Sequence, residues 1–167
     1  MNVPPPYKSN YDEDGWDSIA LPLDASLFDA FPVTVDWNGK IFQKKDEFHI
    51  TLIHAQPHDE SKLALFFTRF IENNPVGLIS FKDDFRHAVR GDEETILMRC
   101  LVSNIETLFQ KILDETSIDL PVQPTHVTLY MFKSKTGISI DSEYEMQRLS
   151  QIYIPTLDKA FEQVGLD

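Results

Sequence analysis

The chain of 167 residues carries a formal net charge of −12, with 42% hydrophobic and 25% charged residues, which are ordinary globular proportions. No stretch approaches the roughly 18 apolar residues that a membrane-spanning helix needs, so the expectation is a protein with no membrane partner. The acidic balance argues against long nucleic acid as a partner, because affinity for it comes largely from lysine and arginine displacing counterions.

A chain of this length buries roughly 70% of its unfolded surface and holds a core without staples. The single cysteine, Cys100, permits no internal disulfide and fits a reducing compartment, so a cytoplasmic location is expected. The opening Met1 to Pro6 has neither a basic start nor an apolar run, and it does not read as a secretory signal. A few basic residues focused in a cleft still allow a small phosphorylated ligand against the overall field.

In chain order, residues 1–15 hold three consecutive prolines and the acidic cluster Asp12-Glu13-Asp14, and they read as a flexible leader to a single domain over 16–167. Trp16 to Leu23 has strand character. Val33 to Trp37, then Asn38-Gly39, then Lys40-Ile41-Phe42 predict a β-hairpin. Phe48 to His54 predicts a strand that ends before Pro57. Leu63, Phe66, Phe67 and Phe70, spaced three and four apart, predict a helix over Asp59 to Glu72.

Strands are predicted at Gly77 to Phe81, Phe85 to Arg90 and Thr95 to Val102, the last two joined by Gly91 to Glu94. Asn104 is placed to cap a helix running to Glu115, whose stripe is Ile105, Leu108, Phe109 and Ile112. A strand follows over Gln123 to Phe132, and Glu143 to Val164 shows helical pattern broken at Pro155. The sum is an α+β fold with antiparallel sheet.

One short element repeats. Phe48-His49-Ile50-Thr51-Leu52 and Thr125-His126-Val127-Thr128-Leu129 share a core of His, β-branched apolar residue, Thr and Leu. Side chains alternate along a strand, so His49 and Thr51 share one face while Ile50 and Leu52 take the other, and the second copy repeats this with His126 and Thr128. Hydrolysis of a phosphodiester needs a base to activate water or an internal hydroxyl and an acid to protonate the departing oxygen. Histidine is the side chain that titrates nearest neutrality. Threonine hydroxyls donate to the non-bridging oxygens as charge develops.

This pair of His-x-Thr elements resembles the two-histidine (2H) phosphoesterase superfamily, which includes 2′-5′ RNA ligase-like proteins and cyclic nucleotide phosphodiesterases. The resemblance covers about residues 16–167. It implies a bilobal domain in which two pseudo-symmetric antiparallel sheets, flanked by helices, present one motif each to a central cleft. It implies His49 and His126 as the catalytic pair and Thr51 and Thr128 as phosphate-binding residues, with no metal or other cofactor. The implied substrate is a small nucleotide or short oligonucleotide, with a 2′,3′-cyclic phosphate or a 2′-5′ linkage as the scissile group. Reversible 2′-5′ ligation is the same site run backwards. Degradation of cyclic dinucleotide or 2′-5′ oligoadenylate signals changes only the substrate, and a nucleotide-sensing module without turnover is the non-enzyme alternative.

Around the motifs, a turn that sets Arg90 opposite Thr95 pairs Ala88 with Leu97 and Arg86 with Arg99, which places Arg86 and Arg99 as candidates to attract substrate phosphate. On the opposite face Phe85, His87, Val89, Ile96, Met98 and Cys100 form a core surface, with His87 a satisfied core histidine. Tyr130, two residues beyond Thr128, is expected on the motif face as a platform for a nucleobase. A rival metal site of His49, His54, His58 and Asp59 is disfavoured by strand parity, because a separation of five sets His49 and His54 on opposite faces.

Overall fold

The computed structural model describes residues 7–8, 17–55, 66, 69, 77–134 and 137–164. Among them are nine strands: β1 (Tyr7–Lys8), β2 (Asp17–Leu23), β3 (Thr34–Trp37), β4 (Lys40–Lys44), β5 (Phe48–Ala55), β6 (Ile79–Arg90), β7 (Glu93–Val102), β8 (His126–Phe132) and β9 (Ser150–Ile152). Three α-helices accompany them: α1 (Ile105–Thr116), α2 (Glu143–Arg148) and α3 (Pro155–Val164). The chain is therefore α+β, and every pairing among the described strands is antiparallel. Where two sheets were expected, the described strands join in one, ordered β1-β2-β5-β8-β7-β6-β9, with the β3–β4 hairpin attached to β8 through β4.

Local chemistry explains most of these elements. Asn38 (φ 53°) and Gly39 (φ 73°) both adopt the left-handed conformation that a two-residue hairpin turn requires, so Trp37 meets Lys40 directly. Pro155 opens α3, where its missing N–H costs no hydrogen bond, so the expected break within one helical region is instead a helix start preceded by β9. Asn104 precedes α1 without a side-chain capping bond; its Oδ1 accepts from the Gly77 N–H at 2.8 Å and ties β6 to the helix entrance. Within the proline-rich leader, Tyr7 and Lys8 pair with Ala20 and Ile19 of β2, and the rest of that leader lies outside the described residues. So does most of the helix expected over Asp59 to Glu72, of which Phe66 and Arg69 are described as helical and Phe66 as buried.

The sheet has two unequal faces. One carries the main core, in which Leu21, Ile50, Val127, Ile96, Met98 and Phe85 pack with Leu108, Phe109 and Ile112 of α1 and Leu157, Ala160 and Val164 of α3. Phe28, at the end of a short 3-10 helix over Ala25–Phe28, stacks its ring 4.4 Å from that of Phe48 in the same cluster. The other face is covered over β6 and β7 by a small second cluster of Ala88, Leu97, Ile138, Ile140 and Met146 of α2. That cluster stops at Leu97, leaving the face of β5 and β8 to polar side chains. Among the described residues no helix is long and apolar enough to cross a membrane.

Candidate functional site

The two repeated elements lie side by side. β5 and β8 are antiparallel neighbours joined at Ile50 opposite Val127, and both of these residues point into the main core with no exposed surface. Antiparallel geometry then fixes the opposite face: His49 sits beside Thr128 and Thr51 beside His126, a rectangle whose histidines occupy one diagonal. Diagonal neighbours across two strands stand about 7–8 Å apart, a span that one phosphate group bridges between two imidazoles. His49, Thr51 and His126 are half-buried, and Thr128 is buried.

Each copy of the motif also ends in the same distortion. In β5, Ala20 pairs with Thr51 but Ile19 pairs with Ile53, so Leu52 is an extra residue. In β8, Leu97 pairs with Thr128 but Ile96 pairs with Tyr130, so Leu129 is extra. A β-bulge of this kind shifts by one the face on which every later residue lies. The residue after each bulged leucine, Ile53 or Tyr130, therefore turns into the core.

These bulges overturn two sequence expectations. Tyr130 does not share the face of Thr128: it has no exposed surface, and its hydroxyl donates to the Pro32 carbonyl at 2.8 Å. Burial pushes its phenol up, out of the usual tyrosine range. Tyr130→Phe is expected to cost about 1 kcal/mol of stability in urea denaturation, the net worth of a hydrogen bond, and to leave the KM for any nucleotide unchanged. A raised KM with unaltered stability would return Tyr130 to the site. Conversely, the bulge at Leu52 brings His54 onto the face of His49 and Thr51, against the parity argument made from the sequence. His54 Nδ1 lies 3.6 Å from Asp141 Oδ1, and its carbonyl accepts from Gln123 Nε2 at 3.1 Å. His58 and Asp59 of the rival metal site lie outside the described residues, among which no cluster of three metal-ligating side chains occurs.

The arginines follow a corrected register. The turn between β6 and β7 is the two-residue Gly91-Asp92, with Gly91 at φ 65°, so Arg90 pairs with Glu93, Ala88 with Thr95 and Arg86 with Leu97. The shift is by an even number, and Arg86 and Arg99 stay on the motif face without facing each other. Arg99 pairs directly with His126 across β7 and β8, yet its guanidinium binds Glu143 Oε1 at 2.6 Å and approaches Asp84 Oδ2 at 3.5 Å. Arg86 donates to both Asp84 oxygens, at 2.6 and 3.1 Å, and to the Leu149 carbonyl at 3.1 Å. Arg99 thus borders the site with its charge already balanced, and Arg86 anchors the segment after α2.

His87 lies on the core side as expected, its Nε2 2.7 Å from Glu94 Oε2 and its ring centroid 4.5 Å from that of Trp37. Glu94 also binds Lys40, and these two partners hold its carboxyl below the usual range. Val89, placed on the core face from the sequence, is 55% exposed; it pairs with Glu94 one rung from the end of the β6–β7 hairpin. Cys100 is buried, and desolvation raises its thiol to about 12.

The electrostatics of the motif face name a residue that the sequence reading missed. Burial lowers His49 to about 4, and the positive charge of Lys45 adds to the effect. His126 is also lowered to about 4, first by burial, then by His49 and Lys45, against a hydrogen bond to the Pro124 backbone that favours its charged form. Since proline has no N–H, that bond runs from the imidazole to the Pro124 carbonyl. The histidines therefore feel one another and share a cationic neighbour. Lys45, four residues before His49, lies between β4 and β5 and outside the strand expected over Phe48 to His54, so strand alternation gave no signal for it.

No family model, no curated protein and no solved structure matches this chain. Gly137 presses against the buried Thr128: a Cβ built on it would lie 3.0 Å from Thr128 Oγ1, so a side chain at this position would crowd the hydroxyl.

Proposed function

We propose that the protein is a phosphodiesterase of the two-histidine type, acting on a small nucleotide or short oligonucleotide whose scissile group is a 2′,3′-cyclic phosphate or a 2′-5′ linkage. The observation that carries this reading is the diagonal His49–His126 pair on one sheet face, each imidazole next to a threonine from the other strand. In the reaction one imidazole takes a proton from water as its oxygen bonds to phosphorus. The other protonates the ribose oxygen as its bond to phosphorus breaks, and Thr51 and Thr128 donate to the non-bridging oxygens. Both histidines are neutral at pH 7 in the free protein, since each is lowered to about 4. An anionic substrate favours protonation of one of them, which supplies the acid only when the substrate is in place.

The bilobal arrangement implied by the resemblance belongs to the same proposal. Its supports are the single pair that joins β5 to β8 and the matching bulges at Leu52 and Leu129, which make β2–β5 and β7–β8 look like two copies of one unit.

The test is a panel of 2′,3′-cyclic mononucleotides, 2′-5′ oligoadenylates and cyclic dinucleotides, assayed with and without EDTA. Turnover of at least one class that persists in EDTA is the expected result, and the class that turns over fixes the substrate. The pH dependence of kcat/KM should be bell-shaped with its maximum below neutrality, because both free histidines titrate near 4. Tight binding of nucleotides with no product from any of them would favour the sensing module instead.

A further inference from the structure

β8 is lined along one edge by two pieces of chain. Gln43 and Lys44 of β4 pair with Met131 and Tyr130, and Ile50 of β5 pairs with Val127. Between these rungs β8 advances by three residues, from Tyr130 to Val127, while the other chain advances by six, from Lys44 to Ile50. The surplus is taken up in the excursion that starts at Lys45 and runs through Asp46 and Glu47. Its first residue stays on the ladder, the Lys45 N–H donating to the Leu129 carbonyl at 2.9 Å, one residue from Thr128. Asp46 and Glu47 are exposed, whereas Lys45 is half-buried against β8.

Half-burial of an ammonium is unfavourable unless something offsets it. Of the other basic side chains at this face, Arg99 is balanced by Glu143 and Asp84, and His54 Nδ1 lies near Asp141. Glu47 is the carboxylate that favours charged Lys45, and burial outweighs it, leaving the lysine below its usual range. Lys44 pairs with the core residue Tyr130 and its ammonium donates to the Phe28 and Phe31 carbonyls, so alternation sends the Lys45 side chain to the face of His49 and His126; a desolvated cation there, in a chain of net charge −12, is the arrangement that an anion completes.

We propose that Lys45 is the anion-holding residue of the site, its ammonium pairing with a non-bridging oxygen of the phosphoryl group that His49 and His126 straddle. This rests on reading the motif face as a phosphate site, and it adds a residue that the two motifs do not contain. The excursion is what delivers it: a regular strand from Lys44 to Ile50 would carry position 45 past the end of the rectangle.

The experiment titrates the full-length protein with inorganic phosphate and follows the ring C–H resonances of His49 and His126 by NMR, in the wild type and in Lys45→Met and Lys45→Arg. In the wild type, phosphate should raise the pKa of both rings. Lys45→Met should weaken phosphate binding about tenfold or more, the scale of one hydrogen bond to a charged group. It should also raise both ring pKa values in the phosphate-free protein, which a purely structural lysine would not do, while Lys45→Arg should bind phosphate within a few fold of wild type. Wild-type phosphate affinity in Lys45→Met, or no phosphate binding by the wild type, would overturn the inference. Turnover is read separately: Lys45-dependent phosphate binding without hydrolysis of any panel substrate would remove the catalytic reading and leave this one standing.

Discussion

Replacing His126 by alanine is expected to lower turnover of the preferred substrate by about 10²- to 10⁴-fold, and His49→Ala by a similar factor, the usual contribution of one general acid or base. The double substitution should cost little more than the worse single one, because an acid without its base, or the reverse, has already lost the concerted proton transfer. The threonine hydroxyls and Lys45 remain in each variant, so binding of inorganic phosphate should survive more of the damage than kcat does. Neither ring is wedged in the core: both are half-buried on the polar face, and the packing beneath them is done by Ile50 and Val127. The variants should therefore keep wild-type circular dichroism. Wild-type kcat in either single variant would remove the assignment of that histidine.

The second large effect is on stability in acid. His49 and His126 titrate at about 4 in the folded chain against 6.5 for an unperturbed histidine, with burial the leading cause in both. Above pH 6.5 both rings are neutral whether the chain is folded or not, and no penalty operates. Between pH 6.5 and 4 the unfolded chain takes up the protons first, so stability falls as the pH falls through this window and levels off below it. At about 1.4 kcal/mol per pH unit each ring corresponds to about 3 kcal/mol, and partial exposure to solvent brings this down to roughly 2 kcal/mol. Urea denaturation at pH 7, 5.5 and 4 should show this decline, and the His49→Gln, His126→Gln double variant should flatten it by up to about 4 kcal/mol, the sum over both rings. An equal decline in the double variant would mean that carboxylates elsewhere carry the acid sensitivity and that the rings are better solvated than their surroundings indicate.

What the sequence discloses and what it conceals divide along a physical line. The Asn38-Gly39 turn is legible because both residues tolerate positive φ and the flanking residues alternate. The repeated His-x-Thr core is legible because period-two alternation over three residues is a local property. The bulges at Leu52 and Leu129 are not local: whether an extra residue is inserted depends on the partner strands β2 and β7, and nothing in a leucine announces it. Tyr130 and His54 were assigned to the wrong faces for that reason alone. The Arg86–Arg99 register failed because Gly91 permits a two-residue turn where four were assumed, and a change of two residues left the faces intact but moved the partners. Lys45 was hidden by a third irregularity, the excursion through Glu47, which sets its backbone beside Leu129. The irregularities at Leu52, Leu129 and Lys45 each fall within a few residues of a motif, where departures from regular geometry aim side chains at a ligand.

The narrow join between β5 and β8 bears on how the molecule responds when it is occupied. His126 takes its place from the continuous ladder of β8 with β7, and His49 from that of β5 with β2, while among the described residues β5 and β8 share the single ladder pair Ile50–Val127. A ligand touching both imidazoles would act as a staple across that seam, adding to the Ile50–Val127 rung and the Gln123–His54 hydrogen bond. Occupancy and rigidity then become a single event, so that slowed amide exchange at Ile50 and Val127 would report a filled site without any chemistry having taken place.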